Sequence, residues 1–203
     1  EPIISFLSLI GLNFFGEDPV SAGFGLFNAG GIIFMIVGIS FSKSLADKYG
    51  KRDVFMSALF VSTLFIAVFY FFNPENLKLM FISQILHGFF YGLTIPLLWA
   101  MIADVADYSE WKNNRRATAI IFSAMMVGLK GGLSIGGALV ASILGYYGYE
   151  AGMDQGMNTL FGIKMLISIF PSIPFFVCVF ILLFYQIDKR MESKIELDLK
   201  SSR

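Results

Sequence analysis

Long apolar runs separated by short polar connections dominate the chain. A helix needs about 20 apolar residues to cross a bilayer, and six runs reach or approach that length. The runs are continuous rather than alternating, which favours helices over the strands of a membrane barrel. The predicted helices cover about residues 2–15, 20–41, 54–72, 79–103, 117–145 and 160–186. They form one predicted six-helix domain over 1–186, and a charged tail follows over 187–203.

Basic residues collect on one side of this predicted topology. Alternate connections lie on the same side of the membrane, and 43–53, 104–116 and the tail together hold twelve of the 15 Lys and Arg residues. The positive-inside rule places that side in the cytoplasm. Six helices then put both ends of the chain in the cytoplasm. A six-helix unit of this kind is typical of one repeat of a twelve-helix transporter.

Composition agrees with a membrane protein and argues against several other classes. Hydrophobic residues make up 56% of the chain, more than the roughly 45–50% of soluble domains. Acidic residues equal basic ones at 15 each, so no basic excess indicates a nucleic-acid partner. With one His and one Cys, neither a metal site nor a disulfide is expected. No nucleophile–base pair, P-loop or dinucleotide fingerprint indicates an enzyme or a cofactor. The chain starts inside an apolar run at Glu1, without a signal-peptide pattern, so we expect a fragment.

The connection Lys43-Ser44-Leu45-Ala46-Asp47-Lys48-Tyr49-Gly50-Lys51-Arg52 carries a first motif. It resembles the loop signature of the major facilitator superfamily, in which a small residue, an Asp, a Gly and two basic residues follow in fixed order. Lys43 stands where that pattern usually has Gly. Asp47 can cap or pair with a helix end, and Gly50 permits a tight reversal. The alternative is a basic loop that only obeys the positive-inside rule.

A second and more specific motif is Asp104-Val105-Ala106-Asp107-Tyr108-Ser109-Glu110-Trp111-Lys112. It continues through two Arg residues to Phe-Ser, Lys-Gly-Gly and a later Gly-Tyr. This series resembles the glycoside–pentoside–hexuronide:cation symporter family. The resemblance implies an all-α major facilitator fold, with this chain as the C-terminal six-helix bundle. It implies sugar transport driven by a cation, sodium or a proton, that binds mainly in the missing N-terminal half. The expected partners are the sugar, the bilayer of a bacterial inner membrane and the N-terminal half.

The polar residues of these connections predict a cytoplasmic gate. Positions 104, 107, 108 and 111 recur at i, i+3, i+4 and i+7, on one side of a helix. Mixed charges at a helix end can latch two helices in one state and separate in another. The alternative is a solvated loop whose ion pairs contribute about 0–1 kcal/mol each. The predicted gate residues are Asp47, Arg52, Asp104, Asp107, Tyr108, Glu110, Trp111, Arg115 and Arg116.

Lys130 lies near the middle of the fifth predicted helix. A Lys at the bilayer centre costs about 3 kcal/mol on insertion scales, so it usually faces a cavity or a partner. Ser123 and Met126 share its face of the helix and join it as predicted pathway residues. On the opposite side, Ala124, Gly128, Gly132 and Gly136 predict close contact with another helix. The alternative for Lys130 is a structural ion pair between helices.

The fourth predicted helix places further pathway candidates on one face: Gln84, His87, Tyr91 and Thr94. Amide, imidazole and hydroxyl groups beside an aromatic ring suit a sugar, which offers hydroxyls and an apolar face. The alternative is hydrogen bonding between helices. Asn13 is a weaker candidate on the first helix. Two other functions stay open: a carrier of a non-sugar solute such as a lipid or drug, and a membrane assembly subunit without transport.

Overall fold

The computed structural model describes residues 19–73 and 75–201, and these contain helices and connections but no strand. The first predicted helix, about 2–15, and Asn13 lie outside the described residues. The described helices are α1 (Pro19–Tyr49), α2 (Lys51–Val68), α3 (Leu77–Asn113), α4 (Thr118–Tyr146), α5 (Met157–Ile167), α6 (Ile169–Leu182) and α7 (Lys189–Ser201). A short 3₁₀ turn, Phe69–Phe71, continues α2.

Five helical segments in the described residues are long and apolar enough to span a membrane: Gly23–Tyr49, Lys51–Phe71, Leu77–Asn113, Thr118–Tyr146 and Met157–Leu182. The last segment comprises α5 and α6 together. Because an apolar helix satisfies its own backbone hydrogen bonds, such segments are stable in hydrocarbon. The chain is therefore an all-α, multi-pass membrane protein.

Two helices run past the apolar spans that the sequence predicts. Helix α1 continues to Tyr49 rather than ending near 41, and α3 continues to Asn113 rather than ending near 103. Each ends where the next residue turns left-handed, at Gly50 with φ 95° and at Asn114 with φ 52°. Hydropathy marks where a span leaves the membrane, whereas the helix ends where the backbone changes conformation. Much of the predicted connection 104–116 is therefore helical.

The sixth predicted helix is interrupted at Ser168, whose φ is −122° and ψ −74°. Pro171 follows three residues later and has no N–H to donate to the carbonyl of Ile167, so the hydrogen-bond ladder is broken here. The Ser168 hydroxyl donates to the Lys164 carbonyl, and the Ser172 hydroxyl donates to the Ser168 carbonyl, each at 2.5 Å. These two bonds partly replace the missing backbone interactions, and α5 and α6 remain consecutive.

Glycines bring α1 and α3 into backbone contact. A Cβ at Gly92 would overlap the backbone of Met35, and a Cβ at Gly88 would overlap that of Gly31. On the other side of this contact, a Cβ at Gly38 would overlap the carbonyl of Phe89. In hydrocarbon, where apolar burial between helices adds little, such close packing is a main source of helix association. The α1–α3 pair therefore forms the tightest contact of the described bundle.

A buried apolar cluster joins α1, α2 and α3 at the end of the bundle where Gly50 connects α1 to α2. Its members are Ala46, Val54, Phe55, Leu59, Leu97 and Met101. Side chains of α6, including Phe175 and Leu182, pack against it. Charged residues lie beside this cluster along each helix, because Asp47 follows Ala46 on α1, Lys51 precedes Val54 on α2 and Asp104 follows Met101 on α3.

Helix α4 differs from the others because none of its residues is buried. We expected its small-residue stripe to contact another helix, but a Cβ at Gly128, Gly132 or Gly136 would meet no described residue within 4 Å. The described residues do not include a neighbour for this stripe, so the expectation stays a prediction. Among these residues, the close glycine contact lies between α1 and α3.

Candidate functional site

Lys51, the first residue of α2, lies between two carboxylates from different helices. Its Nζ is 2.7 Å and 2.9 Å from the two carboxylate oxygens of Asp104 on α3. The same atom is 2.9 Å from Oε1 of Glu192 on α7. The three side chains are 25%, 15% and 32% exposed, respectively, so the charges are partly shielded from water. We call the end of the bundle at which these residues lie the charged end.

Arg116 lies near two other predicted gate residues, with weaker geometry. Its Nη2 is 3.5 Å from Asp107 Oδ1, and its Nε is 3.7 Å from Glu110 Oε2. The Arg116 side chain is 52% exposed. Exposed pairs at these distances contribute little to stability. Arg116 therefore lies near two acidic residues of the second motif, but its ion pairs with them are long and exposed.

Helix α7, predicted as a tail, folds back against the charged end. Asp188 caps it, because its Oδ1 accepts a hydrogen bond from the Met191 N–H at 2.8 Å. Ile195 is buried in the contact with the bundle. Trp111 Nε1 on α3 donates to Asp198 Oδ2 at 2.8 Å, and Lys194 Nζ lies 5.6 Å from the centre of the Trp111 ring. The predicted gate residue Trp111 thus contacts the tail helix.

The remaining predicted gate residues take part in hydrogen bonds in which the acceptor is mostly a backbone carbonyl. Arg52 Nη2 donates to the carbonyl of Leu183 at 2.9 Å. Asp47 is exposed, and its backbone carbonyl accepts a hydrogen bond from Lys189 Nζ at 2.5 Å. The Tyr108 hydroxyl accepts from Lys112 Nζ at 3.2 Å, and the Arg115 carbonyl accepts from the Ser109 hydroxyl at 3.3 Å. The Arg52 and Lys189 bonds join different helix ends, whereas the other two lie within α3 and the turn that follows it. None of the four involves Lys51.

A cavity of about 350 Å³ lies at the charged end, beside the contact between α7 and α3. Its lining includes Lys51, Asp104 and Arg116 from the bundle and Glu192, Ile195 and Leu199 from α7. Burial raises the pKa of the nearby Tyr185, and the negative charges of Asp104 and Glu192 raise it further. The carboxylates therefore act on neighbouring groups beyond their own ion pairs.

A second cavity of about 520 Å³ lies toward the opposite ends of α1, α2 and α3. Aromatic side chains dominate its walls, including Phe24, Phe27 and Phe81. The Phe27 ring meets the Phe81 ring edge to face at 5.4 Å. Gln84 and His87, two of the predicted pathway residues, supply polar groups to this otherwise apolar lining.

His87, Tyr91 and Thr94 also make contacts within the bundle. His87 Nδ1 lies 2.8 Å from the hydroxyl of Ser62 on α2, and the His87 ring stacks on Tyr91 at 5.7 Å. Thr94 is buried, and its hydroxyl donates to the Tyr91 carbonyl at 2.7 Å. Of these contacts, the Ser62–His87 hydrogen bond joins two helices, as the alternative of hydrogen bonding between helices expects, whereas the other two lie within α3.

The other predicted pathway residues lie apart from that group. Lys130, Ser123 and Met126 are all exposed on α4. No hydrogen bond or ion pair joins them to the α3 group within the part of the chain that the structure describes. One aromatic contact links the two helices, because Trp99 on α3 stacks on Phe122 on α4 at 6.5 Å. The structure thus brings together most of the predicted gate but not the two halves of the predicted pathway.

Sequence reasoning did not single out Lys51, Glu192 or Asp198 for this end of the molecule. Lys51 belongs to the first motif, but its two partners lie 53 and 141 positions further along the chain. A signal for α7 was present in the sequence, because Asp188 precedes apolar residues at 191, 195 and 199, spaced by four. That spacing predicts a helix with one apolar face.

Comparison with known proteins identifies the family. The model of the MFS/sugar transport protein family matches residues 5–189. The chain is similar to YagG of Escherichia coli, provisionally named a glycoside/cation symporter, with 32% identity over 75% of this chain and 34% of the relative. It is 32% identical to the inner membrane symporter YicJ of E. coli, over 68% of this chain and 30% of the relative. It is 38% identical to the isoprimeverose transporter of Lactiplantibacillus pentosus, over 54% of this chain and 22% of the relative.

The chain thus spans about a third or less of the length of these three relatives. The matches agree with the motifs in the connections and with the apolar helices, and they confirm the resemblance to cation-coupled sugar symporters. The chain belongs to the MFS/sugar transport protein family.

Proposed function

We propose that this chain is the C-terminal six-helix half of a secondary transporter that moves a sugar or glycoside by alternating access, coupled to a cation. The names of YagG and the isoprimeverose transporter support a sugar-containing substrate. In this proposal the charged end faces the cytoplasm, by the positive-inside rule. The name of YicJ supports an inner-membrane location. Sodium or a proton is the coupling ion and binds mainly in the N-terminal half.

The observation that supports this proposal most strongly is the exposure of α4. The helix has no buried residue, and Lys130 near its middle has no ion-pair partner among the described residues. An ammonium at mid-depth in a bilayer is stable only beside a cavity or a partner group. A second bundle facing α4 would provide both. The exposed lysine therefore supports a half-transporter in which α4 faces the other half and the transport pathway.

Within this pathway we assign Lys130 to the substrate or to a carboxylate of the other half. Its three N–H groups can donate to a sugar hydroxyl or to an anionic group. Ser123 and Met126 share its exposed face. Gln84, His87, Tyr91 and Thr94 form a second polar group on α3, which contributes if the cavity beside Gln84 connects to the same pathway. The names of the relatives do not favour a lipid or drug carrier.

Uptake by the full-length transporter tests the proposal. Cells that produce it should take up a radiolabelled glycoside, and preloaded vesicles should show counterflow. We expect Lys130→Met to reach the membrane at normal abundance and to lose most uptake, at least about tenfold, because the apolar isostere cannot donate.

Lys164→Met is the matched control. Lys164 also lies in an apolar span, but its Nζ donates to the Phe72 carbonyl at 3.2 Å and lies 5.4 Å from the centre of the Tyr70 ring. We expect this variant to lower the amount of folded protein rather than uptake per molecule. Near wild-type uptake by Lys130→Met would show that Lys130 is not part of the transport pathway. Transport of only non-sugar solutes by the unaltered protein would overturn the substrate assignment.

A further inference from the structure

We propose that α7 is a clamp that holds the ends of α1, α2 and α3 together and stabilises the pairing of Lys51 with Asp104. We call that pairing the latch. The proposal rests on the proposed transport function only where it states what the clamp controls. Docking of α7 can be tested without any substrate.

The sequence and contacts of α7 are those of a helix that forms by docking. It has 13 residues, and helices of that length are marginal in water on their own. Asp188 caps its start through the Met191 N–H. Ile195 is 4% exposed against the bundle, whereas Leu197, two residues further on, is 69% exposed. One face of α7 therefore packs against the bundle, and the other faces solvent.

Three polar contacts then attach α7 to three different helices. Lys189 Nζ donates to the Asp47 carbonyl in the last turn of α1, at 2.5 Å. Glu192 pairs with Lys51 at the start of α2, at 2.9 Å. Asp198 accepts from Trp111 near the end of α3, at 2.8 Å. These contacts span about 14 Å along α7, at 1.5 Å per residue, so the helix lies across all three ends.

The Glu192 contact connects the clamp to the latch. Lys51 Nζ lies 2.7 Å from Asp104 and 2.9 Å from Glu192, so one ammonium serves both carboxylates. Without Glu192, the Lys51 side chain has one anion to hold it, and its long stem regains rotamers that point away from Asp104. We infer that a docked α7 keeps Lys51 oriented toward Asp104. The three helix ends then move as one unit when the transporter changes state.

Hydrogen exchange of the purified full-length protein tests docking. We expect amides 191–199 to exchange at least about tenfold more slowly than an unstructured peptide, because docking maintains the helix. The double variant E192Q/D198N should exchange about three- to tenfold faster over the same segment, since two partly exposed polar contacts are weakened. Exchange at the unstructured rate in the unaltered protein would overturn the clamp.

E196Q is the matched control for this change. Glu196 lies on the same helix, and its Oε1 pairs at 2.6 Å with Lys200 of α7 itself, with 64% of its side chain exposed. The substitution removes one carboxylate from α7 without removing a hydrogen bond or ion pair to α1, α2 or α3. We expect its exchange rate to stay within about twofold of the unaltered protein. Equal acceleration by E196Q and E192Q/D198N would show that α7 responds to its net charge, which contradicts the clamp.

Uptake kinetics test control of the latch. We expect E192Q/D198N to lower the maximum uptake rate about threefold or more and to leave the Michaelis constant for the glycoside within about twofold, because α7 contacts no pathway residue. E196Q should leave both constants unchanged. Unchanged uptake with a released α7, or a change in the Michaelis constant alone, would overturn the proposed control. If the unaltered protein moved no glycoside, the transport proposal would fail while the exchange result would still stand.

Discussion

Replacing Gly92 with Ala is the most direct test of the α1–α3 contact. The new methyl group would overlap the carbonyl oxygen of Met35, and the Met35 carbonyl carbon and Cα lie close behind it. All three are backbone atoms, so no side-chain rotation relieves the overlap. The two helices must separate by about 1 Å to admit the methyl group, because interiors at native packing density have no spare room.

The cost of that separation follows from the packing that it loosens. Overpacking a well-packed contact costs about 1–3 kcal/mol, and a backbone contact belongs at the upper end of this range. The higher helix propensity of Ala offsets this loss of stability by at most about 1 kcal/mol. We therefore expect Gly92→Ala to lower the free energy of unfolding by about 2 kcal/mol. Loss of the adjacent Gly88–Gly31 contact would add to this value.

The measurement is the unfolding of the purified full-length protein in detergent, with Gly30→Ala as the matched control. Gly30 lies on α1, the other helix of the same pair, and faces α3, but its Cβ would lie 3.6 Å from Cγ1 of Ile85, an ordinary van der Waals distance. We expect Gly30→Ala to be neutral or slightly stabilising. Equal stability of the two variants would refute the inference that the α1 and α3 backbones are in contact.

Two further substitutions test weaker interactions in the same unfolding assay. Arg116→Ala should lower stability by less than about 1 kcal/mol, since its pairs with Asp107 and Glu110 are long and exposed; a larger loss would show that these two pairs contribute substantially to the stability of the charged end. Ser62→Ala should cost about 1 kcal/mol, because Ser62 is buried and His87 Nδ1 loses its hydroxyl partner; no loss would show that the His87 contact contributes nothing to the bundle.

Much of the fold can be predicted from hydropathy alone, because membrane spans need long apolar runs. The limits of each helix cannot, since α3 runs ten residues beyond the predicted end at 103. Most residues of that extension are polar or charged, so the mean hydropathy falls although the helix continues. Ala106 is 1% exposed within it. The i, i+3, i+4, i+7 spacing of the second motif is the signal that indicates this continuation.

The charged end illustrates why motif reasoning finds some members of a site and not others. Asp104 and Trp111 belong to one helix, so their spacing places them on one side without knowledge of the fold. Lys51 reaches both Asp104 and Glu192 only because three helix ends meet. No local pattern encodes that meeting. The apolar positions of α7 show which face must be covered, but they do not show that α3 and the start of α2 provide the cover.

Two glycine series in this chain have the same spacing and different surroundings. Gly88 and Gly92 on α3 contact α1, where Gly31 and Gly38 lie across the same contact. Gly128, Gly132 and Gly136 on α4 meet no described residue. The spacing thus predicts that a helix can be approached closely, whereas contact also requires a neighbour with a matching surface. Since Lys130 lies on the face opposite these glycines, α4 has two faces of different chemistry that are exposed among the described residues. One is suited to a closely packed helix and the other to a polar pathway. A neighbour on each face would give the glycines a packing partner and the lysine a cavity or counter-charge, and this is the physical basis of our proposal that α4 lies at the boundary between two bundles.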